Sequence, residues 1–413
     1  MTTREQQRER LGQLLELCRA SRGWSRARLA RALDRDPTKL LPDSGNPKLD
    51  YVVKLADVLE WPVSEVVDVI HGEHVAASEL DATHTMTFLD LIAEVDELLR
   101  VGDYTNVVER ARQISGIAST GDELAHVLIR EAAGWDGLGR YTKAQEAAQR
   151  GLRIPGLSVR LRLVLQATLA NAQYTLWDLT PALGTCEVLA KWYEMNPPER
   201  DIDHKRIAYV LYVRGHTRRR LMAMQPESSQ HHAQCAADDL THAIEMYDQL
   251  TEEYEDDRLR GFAHTCRGGL LEIDVELGNI RPQEALEQLY SETALPLTSD
   301  DTGDWQESLG WRCIFGSNIA LRHLEGNALQ RYLSRFLARA LEIAERSNNW
   351  AMRERVYTMQ YSLHRELSQT TGLELDYTIS EQVHSRVGLA MGRFPAFRDT
   401  GWQILKEAKV TQS

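Results

Sequence analysis

The sequence lacks the features of a membrane-spanning or a disulfide-bonded secreted chain. Its longest purely apolar run is about seven residues (207–213), far short of the roughly 20 that cross a bilayer as a helix. The first ten residues, MTTREQQRER, contain no apolar core of a secretory signal. The five cysteines are dispersed and form no CxxC pair. We therefore expect a cytoplasmic protein with reduced thiols and no membrane contact.

Catalytic and metal-binding motifs are also missing. The chain has no P-loop, GxGxxG, HExxH or GxSxG sequence. His231, His232 and Cys235 lie close together, but a structural metal site needs a fourth ligand. The acidic run 251–257 lacks the spacing and central glycine of an EF-hand loop. The sequence predicts a protein that is not an enzyme and that binds no metal or cofactor.

Charge is distributed unevenly along the 413 residues, whose net charge is −13. Residues 1–48 contain 11 Lys and Arg against 6 Asp and Glu, whereas residues 73–413 contain 36 against 50. A basic head followed by an acidic body is typical of a small nucleic-acid-binding module carried by a larger domain. The alternative is that the arginine-rich helix faces of the head are simply solvated.

The periodicity of apolar residues predicts an all-α protein. Apolar residues recur every three or four positions, and no stretch alternates with the period of two expected for a strand. Five short helices are predicted in residues 1–72, with Gly23 and Ser25 as caps between the first two. The third helix falls in DRDPTKLLPDSGNPKL, residues 34–49, which contains three prolines.

The segments RGWSRARLARAL and PKLDYVVKLADVLEWPVSEVVDVI resemble the lambda-repressor/Cro-like (XRE) helix-turn-helix domain. The resemblance implies that residues 1–72 form this domain and contact DNA. Its apolar framework residues are Leu29, Ala30, Pro47, Leu49, Leu55, Ala56 and Leu59.

The recognition helix of this domain is interrupted. Asp36 is predicted to cap it and Pro37 to begin it, but Pro42 has no N–H to donate and ends it after little more than one turn. At the family's base-contacting positions only Thr38, with neighbouring Lys39, offers polar groups to a base. The arginines and lysines nearby would contact phosphates. The predicted DNA-binding residues are Arg22, Arg26, Arg28, Arg35, Thr38, Lys39 and Lys48.

Beyond a predicted linker (73–88), residues 89–413 contain a repeated motif. Segments 101–111, 138–148, 176–186 and 277–289 align on one template, and the first three are 37 and 38 residues apart. This spacing is close to the 34-residue period of tetratricopeptide repeats. We predict six or seven helical hairpins stacked in a right-handed α-solenoid, including degenerate pairs at 203–250, 308–350 and 352–409; the alternative is an irregular helical bundle.

The combination of a Cro-like head and tetratricopeptide repeats resembles the RRNPP regulators, which are dimeric quorum-sensing proteins that bind a short peptide in the concave groove of the solenoid. The resemblance implies a homodimer that regulates transcription in response to a peptide. An Asn side chain can bond both groups of a peptide backbone, and Arg or His can hold a carboxylate. The alternative is that such residues only form interhelical hydrogen bonds or exposed charges. The predicted ligand-binding residues are Arg130, Asn171, Tyr174, His216 and Arg219.

Two functional hypotheses remain open. In the first, the protein is a peptide-responsive, DNA-binding transcription regulator. In the second, the repeats bind a partner protein and the head is an adaptor surface that no longer reads DNA. The basic head favours the first hypothesis, whereas Pro37 and Pro42 favour the second.

Overall fold

A computed structural model describes residues 3–21, 24–42, 47–59, 63, 66–67, 70, 87–198, 201–254, 257–294, 297, 303–371 and 376–411. The predicted all-α fold class is confirmed, with stacked helical pairs making up most of the chain. Within the described residues, no helix is long and apolar enough to cross a membrane. The predicted linker lies outside the described residues, apart from its last two positions.

The chain divides into two compact units, one of residues 1–78 with 374–413 and one of residues 79–373. In the first unit, Ser25 caps the second helix as predicted and accepts a hydrogen bond from the backbone N–H of Arg28. The fifth predicted helix, over 62–70, lies mostly outside the described residues, and so does Gly23. The described helices here are α1 (Thr3–Ser21), α2 (Arg26–Ala32) and α3 (Leu49–Leu59), with a 3-10 turn at Pro37–Lys39.

The core of this unit is built from the apolar framework that the sequence predicted, with one exception. Leu29, Ala30 and Leu55 are buried together with leucines of α1. The hydroxyl of Tyr51 donates to the carbonyl of Leu40 at 2.6 Å, which ties α3 to the end of the 3-10 turn. Leu49, the first residue of α3, is the exception, with 70% of its surface exposed.

The carboxy-terminal segment differs from the prediction. Residues 352–409 were expected to form a helical pair of the solenoid, yet residues from 374 onward pack with the amino-terminal unit, where Leu389 contacts its core. The segment also contains a parallel two-stranded sheet that pairs Ile379 with Val410. Strands of three residues are too short to show a period of two, so apolar periodicity does not predict them. The elements are β1 (Thr378–Ser380), α17 (Glu381–Arg393), α18 (Arg398–Glu407) and β2 (Lys409–Thr411), with a 3-10 turn at Pro395–Phe397.

The second unit is a series of helical pairs in which each helix packs against its neighbours in the chain. Thr87 and Thr120 begin two of the helices with capping boxes, formed with Asp90 and Glu123. The helices are α4 (Phe88–Arg100), α5 (Tyr104–Ser115), α6 (Gly121–Gly137), α7 (Tyr141–Leu152), α8 (Val159–Thr175), α9 (Leu179–Met195), α10 (Asp201–Met224), α11 (Ser229–Tyr254), α12 (Asp257–Leu277), α13 (Pro282–Thr293), α14 (Gly303–His323), α15 (Gly326–Arg346) and α16 (Trp350–Thr371), with a 3-10 turn at Pro226–Ser228.

The four template segments each span the turn inside a helical pair. At the same template position the backbone is left-handed, with φ of 77° at Gly102, 67° at Gly139 and 77° at Gly278. Glycine adopts this conformation without steric cost. In the third copy Trp177 takes the position with φ of 67°, a conformation that is strained for a bulky side chain. The turn therefore retains a tryptophan despite the backbone preference for glycine.

Candidate functional site

The stretch predicted to hold the recognition helix forms the single 3-10 turn Pro37–Lys39. Asp36 caps it as predicted, since its carboxylate accepts from the backbone N–H of Thr38 at 2.8 Å and from the Thr38 hydroxyl at 2.6 Å. The hydroxyl bond, followed by the backbone bond, lowers the pKa of Asp36 below its ordinary value. The chain has no regular structure at Leu41 and Pro42. No helix long enough to span a DNA groove is present in residues 34–42.

Several cations of the head are engaged within the head itself. Arg26 donates to the carbonyl of Pro37 at 2.9 Å, and Arg35 lies 3.4 Å from Asp50 and over the Tyr51 ring. Three predicted DNA-binding residues, Arg26, Arg35 and Thr38, therefore already have partners. Arg28, Lys39 and Lys48 are exposed, and Arg22 lies outside the described residues.

The inner helices of the second unit, α6, α8, α10, α12, α14 and α16, line a groove that consists of two adjoining cavities of about 170 Å³ and 240 Å³. Trp311 lines both cavities and joins them. The smaller cavity is lined by Asp136, Tyr141, Asn171, Tyr174, Thr175, Tyr209, Tyr212, His216, Phe262, Thr265, Asp304, Glu307, Trp311, Phe315, Asn349 and Ala351. The larger is lined by Trp177, Arg219, Arg220, Ala223, Met224, Glu272, Trp311, Ile314, Asn318, Arg322 and Arg355.

The structure brings four of the five predicted ligand-binding residues to this groove. Asn171, Tyr174 and His216 line the smaller cavity, and Arg219 lines the larger one. Arg130 does not line either cavity; it forms an ion pair with Asp96 of α4 at 2.7 Å.

Three carboxylates form one end of the groove, which we call the acidic end: Asp136, Asp304 and Glu307. Asn171 donates to Asp136 at 3.3 Å and Asn349 donates to Glu307 at 2.9 Å. Burial, followed by the charge of Asp304, raises the pKa of Asp136 to about 6 and that of Glu307 to about 8. No described Lys or Arg forms an ion pair with Asp136 or Glu307, so the groove holds these two carboxylates without a compensating cation.

Four arginines form the opposite end, which we call the basic end: Arg219, Arg220, Arg322 and Arg355. The carboxylate of Glu272, which is 2% exposed, accepts hydrogen bonds from three side chains: Arg219 at 2.6 Å, Arg322 at 2.6 Å and the Asn318 amide at 3.0 Å. This buried carboxylate neutralises part of the charge and fixes two guanidinium groups in place.

Arg220 and Arg355 are not neutralised in this way. Arg220 donates to the carbonyl of Tyr174 at 2.7 Å and stacks on the rings of Tyr174 and Trp177. Arg355 lies 4.6 Å from the Trp177 ring centroid. Burial lowers the pKa of Arg220 to about 10 and also lowers that of Arg355. Among the described residues no carboxylate forms an ion pair with either guanidinium, although Glu354 lies close enough to favour their charge.

His216 lies where the two ends meet. It is 1% exposed and stacks on Phe315. Arg219 donates to its Nδ1 at 3.3 Å, so in the neutral ring the proton lies on Nε2. Burial, then the charges of Arg219 and Arg220, lower the pKa of His216 well below its ordinary value. Its Nε2 has no hydrogen-bond partner, which leaves a buried donor available to a ligand.

Sequence reasoning missed the acidic end and the two uncompensated arginines. Asp136, Asp304 and Glu307 belong to α6 and α14, about 170 residues apart, and no local pattern links them. One signal was present for the basic end: tryptophan at a template position where the other three copies carry glycine.

No protein-family model matches the chain, and no curated protein is significantly similar to it. Among solved structures, it is similar to Bacillus thuringiensis PlcR in complex with the peptide PapR7 and DNA, with 13% identity, a TM-score of 0.35 and coverage of 84% of this chain and 99% of that one. It is also similar to a Rap protein complexed with competence and sporulation factor, with 14% identity, a TM-score of 0.44 and coverage of 97% and 99%. Because both TM-scores are below 0.5, neither similarity supports an argument about function. The proposal below is based on the geometry of the groove.

Proposed function

We propose that the protein is a regulator of the RRNPP type whose solenoid binds a short peptide. The observation that supports this proposal is the groove, in which inner helices far apart in sequence place aromatic walls and incompletely paired polar groups together. An extended peptide carries backbone N–H and C=O groups that must find partners when they leave water. The His216 Nε2–H donates to a peptide carbonyl, and Asn171 offers both a donor and an acceptor.

The head is proposed to contact the DNA backbone rather than base edges. Its exposed cations, Arg28, Lys39 and Lys48, suit phosphate contacts, which carry no sequence information themselves. Two such heads in a homodimer would be needed to contact successive turns of a duplex. The short turn Pro37–Lys39 favours a second candidate, an adaptor in which the head binds a protein.

Peptide binding is tested with a pool of synthetic linear heptapeptides of random sequence, passed over the immobilised full-length protein and identified by mass spectrometry. We expect a defined subset to be retained. Ala223→Trp narrows the basic end without removing a polar partner and should abolish retention, whereas Ala338→Trp, on the exposed face of α15, should not. Equal retention by both variants, or no retention by the unaltered protein, would contradict the proposal.

The output of the head is tested by capturing sheared genomic DNA at two salt concentrations, with and without the peptide pool. Fragments that are recovered without sequence preference and lost as salt rises indicate phosphate contact. A few discrete sites retained at higher salt would show that the head reads bases after all. No recovery at either concentration would leave the adaptor function.

A further inference from the structure

The charges of the groove are separated along its length. On α14, Asp304 and Glu307 lie at the start of the helix, Trp311 at the middle and Arg322 near the end. On α10 the order is the same, from Tyr209 at the acidic end to Arg220 at the basic end. Both inner helices therefore run from the acidic end of the groove to its basic end.

The separation matches a short extended peptide. Arg220 is eleven positions after Tyr209, and Arg322 is eighteen positions after Asp304. At 1.5 Å per helical residue these separations correspond to about 16 Å and about 27 Å. An extended chain advances about 3.3 Å per residue. Five to eight peptide residues therefore span the groove from one charged end to the other.

At each end of the groove, two of the described ionisable groups have no ion-pair partner. Burial without a partner disfavours the charged form of an ionisable group, and this applies to Asp136 and Glu307 at the acidic end and to Arg220 and Arg355 at the basic end. The orphaned Nε2–H of His216 lies between them and is a separate sign of a missing ligand.

Trp177 gives independent support at the basic end. Its ring centroid lies 4.2 Å from the guanidinium carbon of Arg220 and 4.6 Å from that of Arg355. Its indole N–H donates to Glu354 at 3.4 Å. The residue occupies a strained left-handed position. The strained residue thus places one aromatic ring against two guanidinium groups, the kind of group that binds a carboxylate.

We propose that the groove selects a linear peptide of five to eight residues with a cationic group at one end and an anionic group at the other. The free terminal ammonium lies at Asp136, Asp304 and Glu307, and the free terminal carboxylate lies at Arg220 and Arg355. This assignment rests on the proposed function, because it specifies the orientation and chemistry of the same ligand.

Four versions of the random heptapeptide pool test the assignment on the unaltered protein: both ends free, amino end acetylated, carboxyl end amidated, and both ends capped. Retention from the free pool, with at least about a tenfold loss for each cap, is the expected result, since charge-assisted hydrogen bonds at each end are lost. The capped peptides that are retained could be enriched in Lys or Arg at one end and in Asp or Glu at the other. This result would support the same charge pairing, with peptide side chains rather than termini supplying the charges.

Two variants test which end of the groove binds which terminus of the peptide. Glu307→Gln should reduce the penalty of acetylation and leave that of amidation, whereas Arg355→Gln should do the reverse. Their controls are Glu287→Gln on the outer helix α13 and Arg365→Gln on the exposed face of α16, which should behave like the unaltered protein.

The outcomes separate this inference from the proposed function. If all four pools are retained equally and without charge enrichment, the groove binds peptides but the charge assignment is wrong. If both caps are penalised but the two variants exchange their effects, the orientation is reversed and the assignment is overturned. If no pool is retained, the proposed function itself fails. The pools require no variant, so a misfolded variant does not prevent the test.

Discussion

The head and the groove are both rich in charge, but they hold it differently. In the head, charged pairs such as Arg35 with Asp50 and Lys54 with Asp34 are exposed and lie within a single small unit. Such pairs contribute about 1 kcal/mol or less. In the groove, charges are withdrawn from water and some have no partner. This difference is the reason for our proposal that the groove, rather than the head, binds the ligand.

The largest loss of stability is expected when a charged group of the groove loses its ion-pair partner. Glu272→Ala leaves Arg219, 4% exposed at its side chain, without its buried carboxylate. We expect a loss of about 3–5 kcal/mol in the free energy of unfolding of the solenoid unit. Asp50→Asn, which removes the partner of Arg35 in the head, should cost less than about 1 kcal/mol. Thermal and urea unfolding measure the loss of stability in both variants. Equal losses would contradict the difference that we draw between the head and the groove.

The acidic end should make the protein less stable as pH rises. A carboxylate whose pKa is lowered by an ion pair has the opposite effect. The pKa of Glu307 is raised from 4.5 to about 8, so the folded state holds a proton that the unfolded state has released, and stability falls as pH rises from about 5 to 8. Glu307→Gln removes this loss and should be more stable than the unaltered protein at pH 8, by roughly 2–4 kcal/mol, and similar to it at pH 5.

The neighbouring ionisable groups Asp136, Asp304 and Tyr104 remain in that variant and titrate in both proteins. Glu287→Gln, on an exposed face, serves as the control and should show no such difference. A gap between Glu307→Gln and the unaltered protein that stays constant from pH 5 to pH 8 would contradict the account.

Trp177→Gly separates folding from ligand binding within the groove. Glycine restores the residue found at this position in the other three template copies and relieves the left-handed strain, which offsets part of the lost packing. We expect a change of only a few degrees in Tm but at least about a tenfold loss of affinity for retained peptides. Trp350, which packs against Gly139, offers a contrast. Trp350→Gly should lower Tm more than Trp177→Gly does.

The smallest effects are expected in the head. Lys39→Ala and Lys48→Ala should each weaken DNA binding several-fold for all sequences alike. Each should reduce the slope of log K against log salt by about 0.9, because one phosphate contact is lost. Thr38→Val should not change sequence preference, since the hydroxyl is already bonded to Asp36. A change in preferred sequence for Thr38→Val would show that the 3-10 turn reads bases.

The sequence was informative where structure is local. Ser25 and Asp36 act as the caps that their positions predicted, because a cap depends on a few neighbouring residues. The predicted stop at Pro42 comes too late, since the turn already ends at Lys39. The repeat template likewise predicted Asn171 and Tyr174 at the groove, whereas His216 was predicted from the degenerate pair 203–250.

What the sequence could not show depends on the path of the whole solenoid. Asp136 and Asp304 line one cavity because helices distant in the chain pack around it. Gly261 lets α12 approach the backbone of Asp304, where a Cβ would lie 2.6 Å from its carbonyl carbon. The packing of residues after 374 against the first unit likewise depends on contacts between distant parts of the chain.

The most direct test of the central claim is to locate both ends of a bound peptide. A retained peptide with free termini is made with a photoreactive diazirine side chain at its second position or at its penultimate position, crosslinked to the full-length protein and mapped by mass spectrometry. We expect crosslinks from the second position near Asp136 and residues 304–311, and from the penultimate position near Trp177 and residues 219–224. Crosslinks in the head, on the outer helices, or at one shared place from both positions would contradict it.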